Sequence, residues 1–164
     1  MDKKVVLAVA NNPNTPGHVL YTLAQEQTDY DILSAIAANP HTPGYTLRKI
    51  LADNNASGIL TAIAENPSSP PLALREIIEK SNDVSVLISI AKRTDIPALV
   101  FSDLVNATDN TTILKAVAEN PRVPAVALRI ILKKVESESS ILEAITNNPN
   151  TPAVILREIA AKLR

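Results

Sequence analysis

The chain contains no cysteine. Disulfides, thiolate metal sites, cysteine nucleophiles and cysteine-held iron–sulfur clusters are therefore excluded. Aromatic residues are scarce: Tyr21, Tyr30, Tyr45 and Phe101 are all there are, which is thin material for stacking nucleic-acid bases or for protein-binding hot spots. Glycine is limited to Gly17, Gly44 and Gly58, and no glycine-rich phosphate loop, H-E-x-x-H or G-x-S-x-G string occurs. Charge of one sign is lacking as well. Lys and Arg number 16 against 17 Asp and Glu, a net charge of −1, where a general nucleic-acid binder is normally far more basic. Long hydrophobic runs are also missing. The run Val5–Ala10 breaks at Asn11-Asn12-Pro13, too short for a signal-peptide core or a membrane span. The expectation is no secretory or membrane segment and a cytoplasmic location.

What the sequence does contain is repetition. Its 164 residues are 46% apolar and 20% charged, a composition that folds, with room for one ordinary domain or a short repeat array. Val5-Val6-Leu7-Ala8-Val9-Ala10 returns as Ile32-Leu33-Ser34-Ala35-Ile36-Ala37, and again from Ile59, Val86, Ile113 and Ile141. Self-similarity at a fixed period marks a repeat architecture. The repeats are 5–31, 32–58, 59–85, 86–112, 113–140 and 141–164, and they make a single repeat domain over 1–164. The fifth is one residue longer, in the stretch Val135-Glu136-Ser137-Glu138-Ser139-Ser140, where an added loop residue costs little.

Prolines punctuate each repeat. Pro13, Pro40, Pro67, Pro121 and Pro149 form one column; Pro16, Pro43, Pro70, Pro97, Pro124 and Pro152 form another. Proline disrupts a helix interior but suits its first turn. The first column, each proline of which follows Asn, stops a first helix, here termed helix A. Thr15, Thr42, Ser69 and Thr151 precede second-column prolines, and this Thr/Ser-Pro pair predicts an N-cap followed by the first residue of a second helix, helix B. Apolar spacing agrees: Ile59, Leu60, Ile63 and Ala64 in one helix, Leu74, Ile77 and Ile78 in the next, are helical faces rather than strand alternation. Asp29, Asn55, Asn82 or Asp83, and Asp109 or Asn110 are expected to cap the A helices.

Helices of about ten residues are marginal alone and must be held by stacking on neighbouring repeats. Small residues at Ala8, Ala35, Ala62, Ser89, Ala116 and Ala144, and at Ala10, Ala37, Ala64, Ala91 and Ala118, allow close approach. Val9, Ile36, Ile63, Ile90, Val117 and Ile145 form an apolar spine.

The strings 35–52 (Ala-Ile-Ala-Ala-Asn-Pro-His-Thr-Pro-Gly-Tyr-Thr-Leu-Arg-Lys-Ile-Leu-Ala) and 144–160 (Ala-Ile-Thr-Asn-Asn-Pro-Asn-Thr-Pro-Ala-Val-Ile-Leu-Arg-Glu-Ile-Ala) resemble the variant leucine-rich repeat family of bacterial helical-repeat proteins. The resemblance covers essentially the whole chain. It implies an all-α, right-handed superhelix, an α-solenoid of six two-helix repeats, in which the second helix is often of the 3₁₀ kind. The repeat here is longer than the family's usual one, which leaves room for a full α-helix B. Some relatives carry an iron–sulfur centre on an N-terminal cysteine cluster, and without cysteine that function is not carried over. The family has no single activity, so the resemblance bears on the fold.

Four features bear on function. Asn12, Asn39, Asn66, Asn120 and Asn148 form a column beside a helix C-terminus, whose unpaired carbonyls a side-chain amide can satisfy; stacking would make it a ladder. Arg48, Arg75, Arg129 and Arg157 form a column on helix B that could offer guanidinium forks to carboxylates or phosphates, or pair locally with Glu76, Glu79, Glu119 or Glu158. Repeat four departs from the rule, with Arg93-Thr94 for Asn-Pro, Phe101 for leucine, and Ile88 at a position that is polar in repeats two, three, five and six. Such a departure marks drift, a bend, or a partner contact at Ile88, Lys92, Arg93 and Phe101. Lastly, the terminal repeats lack evident polar caps beyond Lys3, Lys4, Lys162 and Arg164, which points to self-association or to a longer array of which the chain is a part.

His18 and His41 occupy different repeat positions and form no ligand pair. No catalytic residue, cofactor or metal is expected. The expected function is a non-catalytic scaffold or protein–protein interaction module whose extended face binds a protein partner. The alternatives are a nucleic-acid-binding or repair-type helical-repeat protein, against which the charge argues, and a structural or oligomerising spacer.

Overall fold

The computed structural model describes residues 2–135 and 137–162. Glu136 of the lengthened loop and the terminal Arg164 expected to blunt the last repeat lie outside the described residues, with Met1 and Leu163. The described chain is all-α, with twelve helices and no strand: α1 Lys3–Asn11, α2 Gly17–Glu26, α3 Tyr30–Ala38, α4 Gly44–Asp53, α5 Ser57–Glu65, α6 Pro71–Lys80, α7 Val84–Ala91, α8 Ala98–Ala107, α9 Thr111–Glu119, α10 Ala125–Lys134, α11 Ser139–Asn147 and α12 Ala153–Lys162. Odd-numbered helices are the A helices and even-numbered ones the B helices, one pair per repeat. The B helices are full α-helices of 10 residues.

The chain divides into two compact units, Met1–Val86 and Leu87–Arg164, the boundary falling inside α7. In the first unit α3 packs against both α1 and α5, and α4 against both α2 and α6. In the second, α11 packs on α9 and α10 on α8. In each of these pairs a helix meets the same helix of the next repeat. The packed faces carry the apolar columns read from the sequence: Ile36, Ile63, Ile90, Val117 and Ile145 are fully buried, as are Leu20, Leu47 and Leu128.

The corner between helices A and B is a β-turn in all five repeats that carry Asn-Pro, four of which have a hydroxyl residue before the second proline. Thr15, Thr42, Ser69 and Thr151 donate their backbone N–H to Asn12, Asn39, Asn66 and Asn148 at 3.0–3.1 Å; Val123 does the same to Asn120 at 3.2 Å. Proline at the second position presets this turn. Each Asn side-chain oxygen accepts from the backbone two residues on, as in Asn39 from His41 and Asn148 from Asn150, an Asx turn.

The capping expected for helix B is corrected. The N-cap is the second-column proline itself, with no side-chain cap bond. The ψ angles of these prolines, 143–153°, are extended, so they stand outside the helix. The preceding hydroxyl turns backward instead. Thr15, Thr42, Ser69 and Thr151 donate to the carbonyls of Val9, Ile36, Ile63 and Ile145, at 2.5–2.6 Å, closing the C-terminal turn of helix A. Among the A helices, Asp29 caps α3 and Asn110 caps α9, and Asp83 accepts from the N–H groups of Ser85 and Val86. Asn55 does not cap α5: its N-cap is Ala56.

The asparagine column forms a ladder within each unit. In the first, Asn39 donates to Ala10 and Asn12 carbonyls at 2.8 and 2.9 Å, and Asn66 to those of Ala37 and Asn39 at 2.6 and 2.8 Å. In the second, Asn120 reaches Ala91 and Arg93, and Asn148 reaches Ala118 and Asn120, at 2.6–2.8 Å. These four asparagines are buried, so each rung satisfies two carbonyls of the preceding repeat out of reach of water. A second column runs beside it, with His41 donating to Pro13, Ser68 to Pro40 and Asn150 to Pro121.

Candidate functional site

With the ladder used for stacking, most of the large apolar side chains left exposed lie on the B helices. The residue two places after each second-column proline is apolar and exposed in five repeats: Tyr45 and Leu72 in the first unit, Leu99, Val126 and Val154 in the second. It lies in the first helical turn, on the side away from Leu47, Leu74, Phe101 and Leu128, which are buried. One helical turn further along stands the arginine column, so repeats two, three, five and six each offer an apolar group and, three residues on, a cation on one helix face; repeat four has Ser102 at that position and repeat one Tyr21.

In the first unit Arg48 is exposed and Arg75 half-buried. Together with Leu72, Glu76, Glu79 and Lys80 they line an open cleft of about 410 Å³. Lys80 is paired with Glu76 at 2.7 Å. Tyr21 takes the arginine position in repeat one and meets Tyr45 edge to face, with ring centroids 5.3 Å apart and planes at 71°, a geometry favoured by the aromatic quadrupole. Three of the four aromatic residues, Tyr21, Tyr30 and Tyr45, are thereby at the surface of this unit.

In the second unit Arg129 and Arg157 are exposed. Arg129 reaches Glu158 of the next repeat at 3.3 Å, both side chains 45% exposed, a pairing that water screens and a partner can exchange. Glu119 pairs with Lys115 rather than with arginine.

The repeat-four residues are not brought together as a surface. Phe101 is fully buried; it fills the leucine position of the core, and as a partner contact it is corrected. Ile88 is half-buried and Lys92 exposed. Arg93 clasps Asp95 through two bonds, Nε to Oδ1 at 2.9 Å and Nη2 to Oδ2 at 2.7 Å, and its side chain is only 9% exposed. Those hydrogen bonds hold the Asp95 carboxyl below its usual pKa. Arg93 is thus engaged, not displayed.

The exposed apolar column escaped the sequence reading, although the signal is there: an apolar residue recurs in the first turn of helix B at the repeat period. Its neighbours in sequence are core residues, and only helix phase separates the two. No group of three or more His, Asp or Glu that could hold a metal ion occurs among the described residues, and no described helix is long and apolar enough to cross a membrane.

Compared with protein-family models, with curated proteins and with solved structures, the chain matches none.

Proposed function

We propose that this protein is a non-catalytic helical-repeat scaffold that binds a protein partner through its B helices. The observation that carries this reading is the recurrence, in both units, of an exposed apolar residue followed three residues later by arginine. Such a face suits an extended segment that alternates apolar and acidic side chains: the apolar groups provide burial and the guanidinium forks fix register. The Asn-Pro-x-Thr-Pro string supports membership of the variant leucine-rich repeats and a right-handed solenoid, and the composition supports a cytoplasmic location.

The test compares capture from a lysate of the source cell by wild type and by a variant carrying Arg48→Glu, Arg75→Glu and Arg129→Glu. The variant should lose the partners that wild type retains. If both retrieve the same set, the arginine column is not the recognition surface. A gel shift at low salt examines the nucleic-acid alternative, and no retardation of duplex or single strand is expected.

A further inference from the structure

In the first unit, α2, α4 and α6 carry a strip of exposed apolar side chains beside an unpaired cation. Tyr45 and Leu72 stand 60% and 50% exposed in the first turns of α4 and α6. Tyr21 of α2 meets Tyr45 edge to face, so the two rings form an angled corner with apolar surface open to a ligand. Arg48, one turn beyond Tyr45, makes no ion pair or hydrogen bond among the described residues. The cleft beside it is lined by three cations, Arg48, Arg75 and Lys80, and two carboxylates, Glu76 and Glu79. Lys80 is tied to Glu76. The lining therefore has one positive charge in excess, which suits a single carboxylate rather than a polyanion.

The spacing of the strip selects a conformation. Packed helices lie about 8–10 Å apart, and α4 packs on both α2 and α6. A polyproline II segment has about three residues per turn and rises about 3.1 Å per residue, so it presents the same face about every 9.3 Å. Every third residue of such a segment can therefore meet successive B helices. A β-strand covers the same distance in three residues but then shows its opposite face. An α-helix with its side chains is about 10–12 Å across, wider than the about 5–6 Å between positions three apart on a helix, such as Tyr45 and Arg48. Proline rings also pack well on exposed aromatic surface. A nucleic-acid strand fits less well, because its phosphates would meet Glu76 and Glu79 in the same cleft.

We propose that the first unit binds a proline-rich segment in the polyproline II conformation, its prolines against Tyr21, Tyr45 and Leu72 and one carboxylate on Arg48. The occupant is argued from charge complementarity at Arg48 and from the match between its pitch and the spacing of packed helices. The inference rests on the helix-B reading and deepens it, giving the extended partner a conformation and a composition.

Fluorescence anisotropy with the full chain tests it. The probe is a dye-labelled nonapeptide, Pro-Pro-Ala-Pro-Pro-Glu-Pro-Pro-Ala, which spans about 28 Å as polyproline II. It should bind saturably, and Tyr45→Ala and Arg48→Glu should each weaken it by about fivefold or more. Both positions are exposed; Tyr45→Ser and Arg48→Ala stand in if circular dichroism finds either variant unfolded. Lysine in place of the peptide's glutamate should weaken binding to a similar degree. The comparison probe is an alternating Val-Thr nonapeptide with a central glutamate, which favours a strand. No binding of the proline peptide overturns the inference. If the strand peptide then binds and Arg48→Glu releases it, the helix-B reading stands without the inference; if neither peptide binds and the arginine variant leaves lysate capture unchanged, both fall. A strand peptide or a single-stranded oligonucleotide that binds as tightly as the proline peptide would overturn it too, as would proline-peptide binding that neither variant weakens.

Discussion

The side-chain amide of Asn148 donates to the carbonyl of Asn120 at 2.8 Å, and that same carbonyl accepts the backbone N–H of Val123 at 3.2 Å. One oxygen thus closes the turn of its own repeat and receives the next repeat. Local chain reversal and stacking are joined at a single atom, which is why the asparagine recurs in five of six repeats.

The column contains its own control. Asn39 has the turn bond and two bonds to the preceding repeat, while Asn12 has the turn bond alone. Replacing Asn39 by alanine removes the turn bond and leaves two carbonyls of repeat one without their amide, for an expected loss of about 2–4 kcal/mol. Asn12→Ala should cost about 1 kcal/mol or less. Urea melts followed by circular dichroism measure both. Equal losses would mean that the rung contributes nothing and that the turn alone matters.

Two threonines four residues apart separate a used hydroxyl from an unused one. Thr42 donates to Ile36 at 2.5 Å, and repeat five has the nearly isosteric Val123 at its position. Thr42→Val should therefore cost only the bond, about 0.5–1.5 kcal/mol. Thr46 is fully buried and its hydroxyl has no partner, where the other repeats carry Val19, Ala73, Val100, Ala127 and Ile155. Thr46→Val should raise stability by about 1 kcal/mol, because it removes a desolvated polar group from an apolar column. Thermal melts of the two variants should move in opposite directions.

A pH dependence is expected at the start of α3. Lys3 lies 2.9 Å from Asp29 and 2.7 Å from Asp31. Its hydrogen bond, aided by the N–H groups of Ile32 and Asp31, holds the Asp29 carboxyl below 3.8. Lys3 is correspondingly raised above 10.5, first by Asp31 and then by Asp29. For the carboxylate, lowered in the folded state, the stabilisation is present above 3.8 and is lost as pH falls through the folded pKa. For the lysine, raised in the folded state, it is present below 10.5 and is lost as pH rises through the folded pKa. Asp29→Asn keeps a competent N-cap and removes the charge. Wild type should exceed it in stability near neutral pH by a small margin that added salt reduces, and the margin should vanish in strong acid. A margin that persists there would assign the effect to capping geometry rather than to charge.

The architecture was legible because proline and the apolar period act locally. The proline columns end one helix and precede the next whatever surrounds them, and the spacing of Ile59, Leu60 and Ile63 specifies a helical face. The cap of helix B was misread because Thr-Pro satisfies the N-cap pattern equally well. What decides is the carbonyl of Ile36, six residues back, which only the folded turn brings to Thr42. Phe101 was misread for a related reason: a unique residue in a repeat attracts a functional reading, yet the leucine position it fills is inside the core. The Tyr45 and Leu72 column needed the phase of helix B to within one residue, and the cap error shifts that phase.

The apolar spine gives a last comparison, between an interior position and an end position of one column. Ile63 is fully buried in α5, with α3 packed against that helix. Its truncation to alanine leaves a cavity that helices stacked at fixed spacing collapse into poorly, so a loss of about 2–5 kcal/mol is expected. Val9 occupies the same column in α1, where its half-buried side chain gives up little contact, and Val9→Ala should cost about 1 kcal/mol or less. The measurement is the urea midpoint at constant slope. A loss below about 1 kcal/mol for Ile63→Ala would mean that the column is not what holds the repeats together. A large loss for Val9→Ala would mean that the first repeat is buried by something other than its successor.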